Sequence, residues 1–247
     1  MASGNPALSQ TTFTGLPRVA PAEAMTLQGT VNKSFLLLAC VLITAFWTWK
    51  QFFLTRDPST VAPLLLIGVV GGLVVGFVTI FKKEWAMVTA PLYALLEGLV
   101  IGGVSAFAEA QFSGIVIQAV TLTFGTLLCL LLAYTSGLIK ATENFKLGVV
   151  AATGGIFVIY LATFLLGLFG VKIPYIHQGG WIGIAFSVFV VVIAALNLVL
   201  DFDFIENGVA QGSPRYMEWF AAFGLMVTLI WLYLEILRLL IKLKSEK

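Results

Sequence analysis

GGWIGIAFSVFVVVIAALNLVL, from Gly179 to Leu200, carries no Asp, Glu, Lys or Arg and then runs directly into Asp201. A membrane-spanning helix needs about 20 predominantly apolar residues, so this stretch reads as a transmembrane helix with an acid at its end. The same pattern recurs outward from it. Candidate spans run from Ser34 to Leu54, Val61 to Phe81, Trp85 to Ala108, Ser113 to Leu138, Leu147 to Val171, Gly179 to Leu200 and Met217 to Ile241. The expected fold is an all-α polytopic membrane protein of seven transmembrane helices, in one domain over residues 34–243 after a flexible tail over residues 1–33.

Composition supports this class. The chain is 60% hydrophobic and 11% charged, with 20 Phe and a mean hydropathy of +1.01, values a water-soluble domain could not accommodate. The tail holds Ser, Thr, Gly and Pro and no apolar run suited to a signal peptide, so the first span is expected to direct insertion. A net charge of +2, scattered along the chain, argues against a nucleic-acid partner. The bilayer is the expected surrounding, in the cell (plasma) membrane. The 14 basic residues divide evenly between the two sides, and the loop cluster of Lys82, Lys83, Lys140 and Lys146 leans toward a cytoplasmic N-terminus.

Several residue patterns read as packing. Gly68, Gly72 and Gly76 recur at four-residue spacing beside Gly71, and Gly98 and Gly102 repeat the pattern in the third span. Small residues let helix backbones approach closely in lipid. Trp47, Trp49, Trp85, Trp181 and Trp219 lie near span ends and suit interfacial belts. Cys40 and Cys129 sit inside spans at no metal-ligand spacing and read as small apolar residues. His177 is the only histidine and belongs to the loop before the sixth span. Ser105, in Gly102-Gly103-Val104-Ser105-Ala106, lacks the setting of an intramembrane serine protease, and Asp201 lacks the Gly-x-Gly-Asp element of an aspartyl one. No enzymatic activity or cofactor is expected.

Carboxylates inside the spans carry the functional reading. An ionised side chain at the centre of a transmembrane helix costs about 2.5 to 3.5 kcal/mol, so such residues usually pair, line a cavity or conduct ions. Glu97 lies halfway along the third span beside the Gly98 face, as a relay or a buried hydrogen-bonded acid. Glu109 and Glu143 fall in short loops and read as solvated. Asp201 closes the sixth span in Asn197-Leu198-Val199-Leu200-Asp201-Phe202-Asp203, and Glu235 lies in Leu232-Tyr233-Leu234-Glu235-Ile236-Leu237-Arg238 of the seventh.

These two segments, with the Gly-rich stretch Leu92 to Glu109, resemble the Bax inhibitor / YccA family, also called the TMBIM superfamily, in its bacterial form. The resemblance covers about Ser34 to Leu243. It implies a seven-helix bundle around a central last helix, and a pH-sensitive calcium leak controlled by two acids that share a proton or a hydrogen bond, here Asp201 and Glu235. Family members are also associated with regulation of a membrane protease or stress pathway, the alternative to transport. The chain departs from the family pattern in having Glu at 235, Arg238 three residues later, and a long connection holding Gly208, Gly212 and Pro214. Glu235 then has two candidate partners, Asp201 and Arg238. A plain hairpin keeps the two acids apart, because Glu235 lies about 27 Å into a helix that starts at Met217. They approach only if the sixth helix continues past Asp203 or if residues 217–224 lie outside the hydrocarbon. Calcium as the permeant ion would draw on oxygen ligands, with Asn197 and Asp203 as accessory groups.

Overall fold

The computed structural model describes residues 23–170 and 180–246. Seven long helices occupy them: α1 (Leu27–Thr55), α2 (Pro58–Phe81), α3 (Ala86–Gln111), α4 (Ile115–Thr135), α5 (Glu143–Leu168), α6 (Trp181–Ala210) and α7 (Met217–Ser245), with no strand among the described residues. All seven are long and apolar enough to cross a membrane. Helices are the answer that hydrocarbon imposes, since each backbone N–H and C=O must find its partner within the segment.

Local sequence sets the ends. Thr26 caps α1 by accepting from the Gly29 N–H at 2.9 Å, Asp57 caps α2 through the Ser59 N–H at 2.9 Å with Pro58 in the first turn, and Thr142 caps α5 through the Phe145 N–H. Each cap satisfies one of the donors a helix start leaves open. Glu143 is the first residue of α5, where a negative charge suits the helix dipole, and Glu109 belongs to the last turn of α3; neither stands in a loop, because the helices run further than hydropathy alone indicates.

Outer faces carry the apolar residues that a soluble protein would hide. Phe35, Phe46, Leu66, Phe77, Phe157 and Phe164 are all more than half exposed. The polar and small side chains turn inward, and α7 is the most buried of the seven helices.

By packing, the described helices gather into two compact units. One comprises α1, α2 and α3 with residues 204–210 of α6 and 217–227 of α7; the other comprises α4, α5, α6 to Asp203 and α7 from Thr228. In the first unit, glycine lets α3 approach both neighbours. A Cβ on Gly98 would strike Thr44 Oγ1 and the Val41 carbonyl of α1, and one on Gly68 would lie 2.6 Å from Val100 Cγ2 and 2.7 Å from the Leu96 carbonyl. Phe52, Val61 and Ala106 form a cluster beside this contact, where Phe52 and Phe107 meet edge to face at 5.0 Å. Trp49 packs against the same cluster, while Trp47, Trp85 and Trp181 are exposed.

The tail expectation changes at its inner end. α1 begins at Leu27, not Ser34, and the residues before it are tied to the α6–α7 connection. Met25 is buried and donates its N–H to the Ser213 carbonyl at 2.7 Å, and Arg215 donates to the Glu23 carbonyl at 2.9 Å. Residues 1–22 of the tail, and the loop holding His177, lie outside the described residues.

Gly98→Ala is expected to destabilise the protein by about 1–3 kcal/mol through overpacking against α1 backbone. Gly148→Ala, which meets nothing within 4 Å, serves as the control and is expected to be neutral or slightly stabilising. Thermal unfolding of both variants in detergent checks the pair.

Candidate functional site: a polar column through α5, α6 and α7

In the second unit, α6 and α7 run antiparallel in a register that polar contacts make explicit. The Lys242 ammonium of α7 donates to the Gly183 carbonyl at 3.0 Å and to Ser187 Oγ at 2.9 Å, both on α6. Fourteen residues earlier on α7, Thr228 stands beside Asp201, fourteen residues later on α6. Glu235 lies midway, seven residues from each end, so about 10 Å separates it along the helix from the level of Asp201. α5 contributes Lys146, Thr153 and Tyr160 at seven-residue steps, meeting Asp203 and Asn197 of α6 and Glu235 of α7 in turn.

Asp201 is fully buried with Thr228 beside it, and neither carboxylate oxygen has a hydrogen bond among the described residues. One turn before it, the buried Asn197 donates its Nδ2 to Thr153 Oγ1 at 2.9 Å and to the Ile193 carbonyl at 2.8 Å, leaving Oδ1 without a donor among the described residues. Three acceptor oxygens therefore gather on one face of α6, since residues four apart are neighbours on a helix. Burying an acceptor with no donor costs about 1–3 kcal/mol, more if it is charged.

Glu235 has a different solution. It is buried, and both carboxylate oxygens accept from the Tyr160 hydroxyl at 3.1 Å and from Arg238 Nη1 at 3.0 and 3.1 Å. Arg238 also donates to the Tyr160 oxygen at 2.6 Å, with its guanidinium 5.1 Å from the ring centre. Of the two partners open to Glu235 in the sequence, the structure supplies Arg238. α6 does continue past Asp203, as an approach of the acids required, but the register stops Asp201 two turns short of Glu235. Tyr160 was the partner sequence reading missed.

Asp203 pairs with the half-buried end of α5, where Lys146 Nζ lies 2.7 Å from Asp203 Oδ2 and 3.5 Å from Glu143. The column thus runs from Lys146 and Asp203, through Asp201 and Asn197, past Glu235 and Arg238, to Lys242.

Glu97 belongs to the other unit. It accepts from the Tyr93 hydroxyl one turn back on α3 and faces Gly72 of α2, where a Cβ would be 3.3 Å from its Oε1. It points between helices and makes a hydrogen bond, the structural alternative left open for it. The same unit holds an ion pair that sequence reading did not single out. The buried Glu218, in the first turn of α7, accepts from the Thr26 N–H and hydroxyl, both at 2.9 Å, and from Lys33. Cys40 and Cys129 are free thiols.

A polytopic helical membrane protein with a charged column between its last three helices is the class these observations define. A family model described as Bax inhibitor 1 like matches residues 5–245, and the chain belongs to that family. No curated protein and no solved structure matches it.

Removing Arg238 strands a buried carboxylate. Arg238→Met is expected to cost about 1–3 kcal/mol, and adding Glu235→Gln is expected to recover most of that loss because no charge then remains unpaired. A double-mutant cycle of unfolding in detergent measures the coupling.

Proposed function

We propose that the α5–α6–α7 column is a pH-controlled leak path for cations, with calcium as the permeant ion, and that the protein acts by conduction instead of catalysis. The observation that carries this reading is the trio of buried acceptors, Asp201 Oδ1 and Oδ2 and Asn197 Oδ1. A protonated Asp201 becomes a donor, and Asn197 Oδ1 is an acceptor one turn away on the same face. One proton then joins the two side chains and leaves the column neutral at that level. Loss of the proton leaves two carboxylate oxygens and an amide oxygen close together on one face of α6. Such a group calls for a cation or water, and calcium prefers oxygen ligands, with backbone carbonyls or water completing a shell of six to eight.

The sign follows from this arrangement. Low pH fills the acceptors with a proton and closes the path; rising pH vacates them and admits a cation. Glu235 is held by Arg238 and Tyr160 two turns away from Asp201, so it does not share the Asp201 proton.

Calcium flux in liposomes containing only the purified protein is expected to rise several-fold with pH. Asp201→Asn is expected to flatten that dependence at the low-flux level. Glu235→Gln is expected to alter flux with an effect that adds to that of Asp201→Asn, as for residues that do not touch. PH dependence unchanged in Asp201→Asn would exclude the mechanism. Absence of flux from every form would favour the regulatory alternative, a membrane partner of a protease or stress pathway that transports nothing.

A further inference from the structure

Lys242 is buried near the C-terminal end of α7, within the apolar helix, and two oxygens of α6 receive its ammonium. Gly183 and Ser187 are four residues apart, so the Gly183 carbonyl and Ser187 Oγ lie on one helical face, in line with Asn197 and Asp201 further along α6. A main-chain carbonyl and a hydroxyl are the kind of neutral oxygens that bind a partly dehydrated cation. The ammonium is itself a compact cation with three donors. It stands two turns beyond Glu235 on α7, on the same face, since a seven-residue step nearly repeats the helical angle.

Resting on the leak reading above, we infer that Lys242 is a tethered cation that occupies the exit of the column and sets its cation permeability. An ion that has passed Asp201 and the Glu235–Arg238 pair meets, at this level, oxygens already filled by a fixed positive charge. Passage requires the ammonium to swing aside, so the flux stays a slow leak. The block resides in the charge: arginine at this position preserves it, whereas a neutral side chain of similar length removes it. Ser187 acts through Lys242, as a positioning residue that holds the ammonium over the path.

The test is calcium and potassium flux in liposomes for the wild type, Lys242→Met, Lys242→Gln, Lys242→Arg and Ser187→Ala, each in the full chain and confirmed monodisperse by gel filtration. Lys242→Met and Lys242→Gln are expected to raise flux by about tenfold, Ser187→Ala by about two- to threefold, and Lys242→Arg to stay at the wild-type level. Glutamine retains hydrogen bonding without charge, so wild-type flux in Lys242→Gln would overturn the proposal even if Lys242→Met proved unstable. Wild-type flux in Lys242→Met, alongside a wild-type leak that still responds to Asp201→Asn, would overturn the plug and leave the leak reading intact. No flux from the wild type and Lys242→Met alike would overturn both.

Discussion

The antiparallel register of α6 against α7 is the constraint on which the column depends. It pairs Asp201 with Thr228 and Ser187 with Lys242, fourteen residues apart on each helix. That register requires α6 to run nine residues beyond Asp201, to Ala210, before the chain turns at Gly212 with φ 64°, a left-handed conformation that glycine adopts freely.

α7 carries its charges where its own electrostatics and its neighbours can hold them. Glu218 lies in the first turn and Lys242 and Lys244 in the last, each sign at the end of the macrodipole that favours it. Between them, Thr228, Glu235 and Lys242 recur every seven residues, with Arg238 between the last two. On α6 the facing line is Gly183, Ser187, Val190, Ala194, Asn197 and Asp201, at steps of three and four. Its small middle residues leave Glu235 room to reach Tyr160 on α5. Apolar residues cover the rest of both helices, so each polar atom must be satisfied inside the protein.

Much of this was legible in the sequence. Long apolar runs marked all seven helices, and glycine spacing in the second and third spans marked tight helix contacts, which the structure shows as α2 against α3 and α3 against α1. The inward direction of Glu97 and Glu235 followed from the cost of exposing an acid to lipid. Helix ends were less legible, because hydropathy falls where amphipathic turns begin. The first turns of α1 and the last turns of α6 are helical yet hold Gln28, Asn32 and Lys33, or Asp203, Glu206 and Asn207. The Glu218–Lys33 pair depends on residues 185 positions apart and leaves no local signal. The seven-residue spacing of Thr228, Glu235 and Lys242 was present in the sequence, and would have marked the polar face of α7 had it been counted from Glu235 in both directions.

Why the two acids of the closing helices are kept apart follows from what each would need as a partner. Two carboxylates in contact in a dry core must hold a proton between them, and the pair then titrates as one group. Arg238 removes that necessity for Glu235: its guanidinium and the Tyr160 hydroxyl both donate to the carboxylate. Asp201 has no such cation in hydrogen-bonding contact, and its nearest polar neighbours on α6 and α7 are an amide and a hydroxyl that do not titrate. One salt-bridged acid and one separate acid thus stand where a paired arrangement would join the two, and that difference arises from the presence of Arg238 three residues after Glu235.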